Sequence, residues 1–112
     1  MMTLYGIKNC DTVKKARHWL EDHGINYQFH DFRQDGLEQK QLQNWIKKLG
    51  WEALVNKRST TWRNLSEKEK TISNEQQAIK LLLGNLTLIK RPVVENKKIV
   101  LVGFKENEFK NL

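Results

Sequence analysis

The stretch Ile7-Lys8-Asn9-Cys10-Asp11-Thr12-Val13-Lys14-Lys15-Ala16 decides the fold. It holds the only cysteine of the chain, at the point where an apolar run gives way to a helical pattern. Upstream, Thr3-Leu4-Tyr5-Gly6-Ile7 is short, largely apolar and rich in β-formers, the composition of a buried strand. Downstream, Val13, Ala16, Trp19 and Leu20 recur at helical spacing, and Gly24 would end that helix as its C′ residue. Asn9 is the expected N-cap, and Asp11 a favourable charge in the first turn. A thiol at such a junction faces the open N–H groups and positive end of a helix, which favour the thiolate, and Lys8, Lys14 and Lys15 add positive charge. A lone cysteine is more commonly a small, inert core residue. Its place between strand and helix argues for a reactive one.

Working outward, residues 25–30 (Ile-Asn-Tyr-Gln-Phe-His) alternate apolar and polar, as a strand with one wet face does. Strand, helix and strand within so short a span predict a right-handed βαβ unit with parallel strands. Residues 31–36 read as a polar connector ending in the turn signal Asp35-Gly36. A helical region follows. Leu37, Gln41, Leu42, Trp45, Ile46 and Leu49 form one stripe, ended by Gly50. Residues 59–65 predict a short helix, Ser66 opens another turn, and Ser73 is the expected N-cap of a helix to Gly84, with Gln76 at the capping-box position. Trp45, Trp51 and Trp62 read as core anchors of this block. After Arg91-Pro92, runs 92–95 and 99–102 form a hairpin across Asn96-Lys97-Lys98, and residues 104–112 a closing helix with Phe109 and Leu112.

The fold class is therefore α/β: βαβ, a helical insertion, then ββα. One domain spans residues 1–112, with its core in 1–34 and 88–112 and the insertion in 35–87. One cysteine excludes an internal disulfide, and no apolar run reaches membrane-spanning length, so neither a stapled secreted scaffold nor a membrane protein is expected. With no export-like opening segment, the expected compartment is the cytoplasm. The net charge of +7 invites a nucleic-acid reading, but the 20 Lys and Arg residues are scattered among 13 acids without a basic block. An anionic small molecule or an acidic protein surface suits the same excess. The three histidines are unclustered, and no metal site is expected.

The order βαβ–ββα is that of the thioredoxin/glutaredoxin fold, and three dispersed pieces narrow it. Residues 5–16 resemble the nucleophile loop of the ArsC (arsenate reductase) family, which works with glutathione and glutaredoxin. Asn56-Lys57-Arg58-Ser59-Thr60-Thr61-Trp62-Arg63 resembles that family's insertion segment, in which an arginine faces the active cysteine. Arg91-Pro92-Val93-Val94 resembles its arginine and cis-proline pair. The wording is most similar to the YffB-type branch, glutathione-dependent thiol reductases.

The resemblance implies Cys10 as nucleophile, with Arg58 and Arg91 binding anions and stabilising the thiolate. It also implies a glutathione-binding or substrate-binding face made of Lys8, Asn9, Asp11, Thr12, Arg91 and Pro92. A thiolate attacking a sulfur or an oxyanion needs charge neutralised, and arginine supplies fixed, always-charged donors in a fork. The backbone N–H groups of Asp11 and Thr12 would complete an anion nest. A cis Pro92 would hold an extended backbone whose edge pairs with a peptide-like substrate. Glutathione is thus the expected co-substrate and glutaredoxin a further partner; the substrate is a glutathionylated thiol or an oxyanion.

Two departures matter. Arsenate reductases of this family carry a further arginine in the final hairpin, whereas residues 94–104 here contain lysines and no arginine, which argues against arsenate. Spx regulators, also similar, sense oxidants through a Cys-x-x-Cys pair, and Val13 occupies the second position here. The alternative function is an Spx-like binding module docking on RNA polymerase, in which Cys10 matters little.

Overall fold

The computed structural model describes residues 2–112. In chain order the elements are β1 (Thr3–Gly6), α1 (Asp11–Asp22), β2 (Gln28–Asp31), α2 (Phe32–Asp35), α3 (Gln39–Leu49) and α4 (Trp51–Leu54). There follow α5 (Thr60–Arg63), α6 (Glu67–Lys70), α7 (Glu75–Gly84), a 3₁₀ turn at Leu86–Leu88, β3 (Val93–Glu95), β4 (Val100–Val102) and α8 (Glu106–Phe109). The backbone gathers into two compact units, Met1–Gly36 with Arg91–Leu112, and Leu37–Lys90.

The first unit is built on a four-stranded sheet in the order β2-β1-β3-β4. β1 runs parallel to β2, with Thr3 opposite Gln28 and Gly6 opposite Asp31, and antiparallel to β3, with Tyr5 opposite Val93. β3 and β4 close the antiparallel hairpin, in which Asn96 Oδ1 accepts the N–H groups of Lys98 and Ile99 at 2.8 and 2.9 Å. Val13, Ala16 and Leu20 are fully buried at helical spacing on α1 and pack with Met2, Leu4, Val94 and Phe109. Gly6 permits that packing, because a Cβ there would stand 2.7 Å from Cγ2 of Val13.

Helix α1 ends as expected. Gly24 has a positive φ of 65° and its N–H donates to the Glu21 carbonyl, while that of Ile25 donates to Leu20, the two bonds of a Schellman motif. Its start differs, since the N-cap is Cys10 and not Asn9. Asn9 is spent inside a turn that the Cys10 N–H closes on the Ile7 carbonyl at 3.3 Å. β2 starts at Gln28, three residues later than the alternation suggested, because pairing with β1 begins there. Residues 32–35 of the expected connector form a helical turn, with Asp31 Oδ1 accepting the Arg33 N–H at 2.8 Å as its cap.

In the second unit α3 packs on α4 and α7. Leu42, Trp45, Leu54, Ala78, Leu82, Leu88 and Ile89 are its fully buried side chains. Of the three tryptophans read as anchors, Trp45 is fully buried while Trp51 and Trp62 are half-buried. Glu38 and Gln41 form a capping box at the start of α3, and Ser66 with Glu69 another at α6. Helix α7 is capped by Asn74 rather than Ser73, with Asn74 Oδ1 accepting the Gln77 N–H at 2.9 Å. Ser73 instead donates its N–H to Gln77 Oε1 at 2.9 Å, one step outside the helix.

Candidate active site

The parallel strands β1 and β2 end side by side, and the chain leaves β1 through the turn 7–10 to enter α1. Ile7 is buried, whereas Lys8 and Asn9 at the middle of the turn are exposed. Cys10 sits at the mouth of the helix in extended backbone geometry (φ −105°, ψ 123°). Its carbonyl accepts the first helical bond, from Lys14 N–H at 3.0 Å, and its side chain makes no capping hydrogen bond. The sulfur is a free thiol on a half-buried residue that packs against the cluster of Leu4, Val13 and Val94. Asp11 and Thr12 are exposed, and their N–H groups belong to the first turn, which has no carbonyl partner within its own helix. The arrangement presents a free thiol and polarised N–H donors at one helix end, a combination suited to thiol chemistry on an anionic partner.

Arg91 and Pro92 enter the same end of the sheet. The register Tyr5–Val93 places Pro92 one step beyond the last pair, where β1 gives way to the turn carrying Cys10. The Arg91-Pro92 peptide is cis, as the resemblance implies, and Pro92 is buried while Arg91 is half-buried. The backbone pairing expected at Pro92 is corrected in one respect. β3 is an inner strand, and the Pro92 carbonyl is already engaged by the Gly103 N–H at 2.8 Å.

Arg58 belongs to the other unit, on its surface. Its segment is a built turn. Asn56 Oδ1 accepts the Arg58 N–H at 3.1 Å, Ser59 Oγ donates to the Asn56 carbonyl at 2.7 Å, and the Arg63 guanidinium donates to the Arg58 carbonyl at 3.5 Å. Ser59 Oγ then accepts the Trp62 N–H and caps α5. So Lys8, Asn9, Cys10, Asp11, Thr12, Arg91 and Pro92 are brought to one end of one sheet, and Arg58 is presented by a separate element.

Sequence reading missed two groups here. Asp31, the last residue of β2, is only 4% exposed, and its Oδ2 accepts the Lys8 N–H at 3.3 Å. The available signal was its cap-like place ahead of Phe32-Arg33. Tyr5 is also buried; its hydroxyl donates to Glu95 Oε1 at 3.3 Å and its ring lies 4.8 Å from that of His30. Burial first, then the Glu95 carboxylate, pushes the Tyr5 hydroxyl up to about 12. Among the described residues no group of three or more His, Cys, Asp or Glu side chains is placed to hold a metal ion, and no helix is long and apolar enough to cross a membrane.

A mixed four-stranded sheet flanked by helices, with a cysteine at the mouth of the helix after its first strand, defines a thioredoxin-like protein. Within that class the chain belongs to the ArsC family, whose model matches residues 5–112. It is 51% identical over 109 residues to an uncharacterized protein of Haemophilus influenzae, covering 97% of this chain and 96% of that one. It is 29% identical over 112 residues to the global transcriptional regulator Spx of Listeria innocua, covering 98% of this chain and 85% of the regulator. Among solved structures it is similar to one described as a YffB protein, with a TM-score of 0.95 and 42% identity over 99% of this chain and 97% of that one.

Proposed function

We propose that this protein is a cytoplasmic thiol oxidoreductase that uses Cys10 as its single nucleophile and glutathione as its co-substrate. The observation that supports this most is the placement of Cys10 as the N-cap of α1 with its sulfur outside any capping bond. There it is available for attack beside N–H groups that stabilise negative charge. On a glutathione mixed disulfide, the Cys10 thiolate attacks the glutathione sulfur. The old S–S bond breaks, its electron pair leaves with the substrate thiolate, and a Cys10–glutathione disulfide forms. A second glutathione thiolate then attacks that disulfide, giving oxidised glutathione and restoring Cys10. The net reaction exchanges one disulfide for another: the mixed disulfide and one reduced glutathione become the substrate thiol and oxidised glutathione.

The chain has no second cysteine, so the resolving thiol must come from outside, from glutathione or glutaredoxin. Arg91, Lys8 and the N–H groups of Asp11 and Thr12 are assigned to the carboxylates of glutathione, with Asn9 and Pro92 shaping the loop they share. Arg58 is assigned the same anion-binding role on the resemblance of its segment. The catalytic core is assigned to residues 1–34 and 88–112, with the insertion 35–87 supplying Arg58. Arsenate is a poor expected substrate, because residues 94–104 offer lysines and no third arginine fork.

The test is incubation with oxidised glutathione. A single adduct should appear by intact mass, absent in Cys10→Ser and removed by reduced glutathione. If Cys10 forms no adduct where a free peptide thiol does, glutathione is not the partner. A second reading then leads, that of a regulatory module docking on RNA polymerase, favoured by the likeness to Spx along nearly the whole chain. It requires polymerase capture that survives Cys10→Ala.

A further inference from the structure

Asp31 is the one charged or polar residue in the buried class among the described residues. It ends β2 directly beside Gly6, the last residue of β1, so it lies where the chain departs toward the nucleophile. Both carboxylate oxygens are used on backbone donors. Oδ1 accepts the Arg33 N–H at 2.8 Å and Oδ2 the Lys8 N–H at 3.3 Å, while its own N–H donates to Asp35 Oδ2 at 3.2 Å. Lys8 is the second residue of the turn 7–10, whose closing bond uses only the Cys10 N–H and the Ile7 carbonyl. The Lys8 N–H is an inner group that this closing bond leaves open. Asp31 Oδ2 accepts it at 3.3 Å in a low-dielectric place, where a charged acceptor gains more than a neutral one.

We infer that Asp31 is a positioning residue for the Cys10 turn, pinning it through the Lys8 N–H so that the thiol is held in one alignment for an oriented partner. The α2 cap and the turn are two jobs of one side chain, and they can be separated. Serine is as good an N-cap as aspartate, yet its hydroxyl is too short to accept from Lys8 as well. Asparagine is isosteric but turns one of the two acceptors into a donor. In Asp31→Ser the cap survives and the pin is lost; in Asp31→Asn one of the two backbone donors loses its acceptor.

This role rests on the proposed chemistry of Cys10, and the experiment separates the two. The rates of Cys10 modification by oxidised glutathione and by iodoacetamide are measured in the full chain, together with deuterium exchange of the Cys10 amide. Iodoacetamide is small and weakly oriented, so the ratio of the two rates cancels any change in intrinsic nucleophilicity. In Asp31→Ser the ratio should fall about tenfold or more, as misalignment of a reacting atom does. Exchange of the Cys10 amide should accelerate by a similar factor. Asn74→Ala, which weakens α7 far along the chain, should change neither. An unchanged ratio with unchanged amide exchange in Asp31→Ser overturns the assignment and leaves Asp31 a helix cap. If Asp31→Ser does not fold, Asp31→Thr, which also caps and is too short to accept from Lys8 as well, carries the same two measurements. Absence of a glutathione adduct in the wild type refutes the glutathione chemistry, and amide exchange then decides alone whether Asp31 holds the turn.

Discussion

Gly6→Ala tests how α1 is seated behind the strand that leads to Cys10. The added Cβ would lie 2.7 Å from Cγ2 and 3.2 Å from Cγ1 of Val13. Val13 is fully buried, and a valine in a helix has essentially one χ1 rotamer, so it cannot swing away. Relief must come from moving α1 off the sheet. Overpacking of this kind costs about 1–3 kcal/mol, and losing a glycine from the unfolded chain returns about 0.4–1. The net loss is about 1–2 kcal/mol. With an unfolding entropy of about 2.1 cal/mol/K per residue over 112 residues, 1 kcal/mol moves Tm by about 4 °C, so a fall of about 4–8 °C is expected. Val13→Ala alone removes two buried methyl groups and should cost about 2 kcal/mol. In the double variant the new methyl fills part of the space vacated, so the loss should be about that of Val13→Ala and not the sum. Urea unfolding followed by far-UV circular dichroism gives the cycle directly. Additive losses, within about 0.5 kcal/mol, would refute the proposed contact between β1 and α1.

Other consequences follow from single groups. Tyr5 has its folded-state pKa raised from 10.0 to about 12, so the native state keeps that proton where the unfolded chain has lost it. Its contribution is complete below pH 10 and is lost as the pH rises through about 12. The stability difference between wild type and Tyr5→Phe should therefore shrink over that window at a limiting slope of about 1.4 kcal/mol per pH unit, as pH-dependent denaturation would show. Asn74→Ala removes the cap of α7 and should cost about 1 kcal/mol, or about 4 °C in Tm, whereas Ser73→Ala should cost less than half as much by the same melting assay.

The elements whose signals are local were legible from the residues alone. The apolar spacing of Val13, Ala16 and Leu20, the end of α1 at Gly24 and the stripe through Leu42, Trp45 and Ile46 each depend on neighbours within two turns. So does the placement of the lone cysteine at a strand-to-helix junction. The boundaries that moved are those set by partners elsewhere. Asn9 is as good a cap as any in isolation, but the closing bond from Cys10 to Ile7 puts it inside a turn and passes the cap to the cysteine. β2 cannot begin at Ile25, because its N–H finishes the Schellman motif and its side chain packs against the first unit's core cluster.

For the candidate site the division is the same. Cys10 was legible from its place between a strand and a helix, whereas Arg91 and Pro92 were named through the resemblance of residues 91–94 to the family's arginine and cis-proline pair. Their meeting at one end of a sheet was decided by the antiparallel register of β3 on β1, a pairing 88 positions apart between Tyr5 and Val93. Asp31 shows the limit most clearly. Nothing near it in sequence tells that its carboxylate is buried, since one of its two donors, the Lys8 N–H, comes from 23 residues away. Periodicity and turn chemistry are properties of a short stretch of chain, and they were readable before any folding. Burial of a charge and the pinning of a reactive turn arise only when distant backbone groups are brought together, and only the tertiary structure decides them.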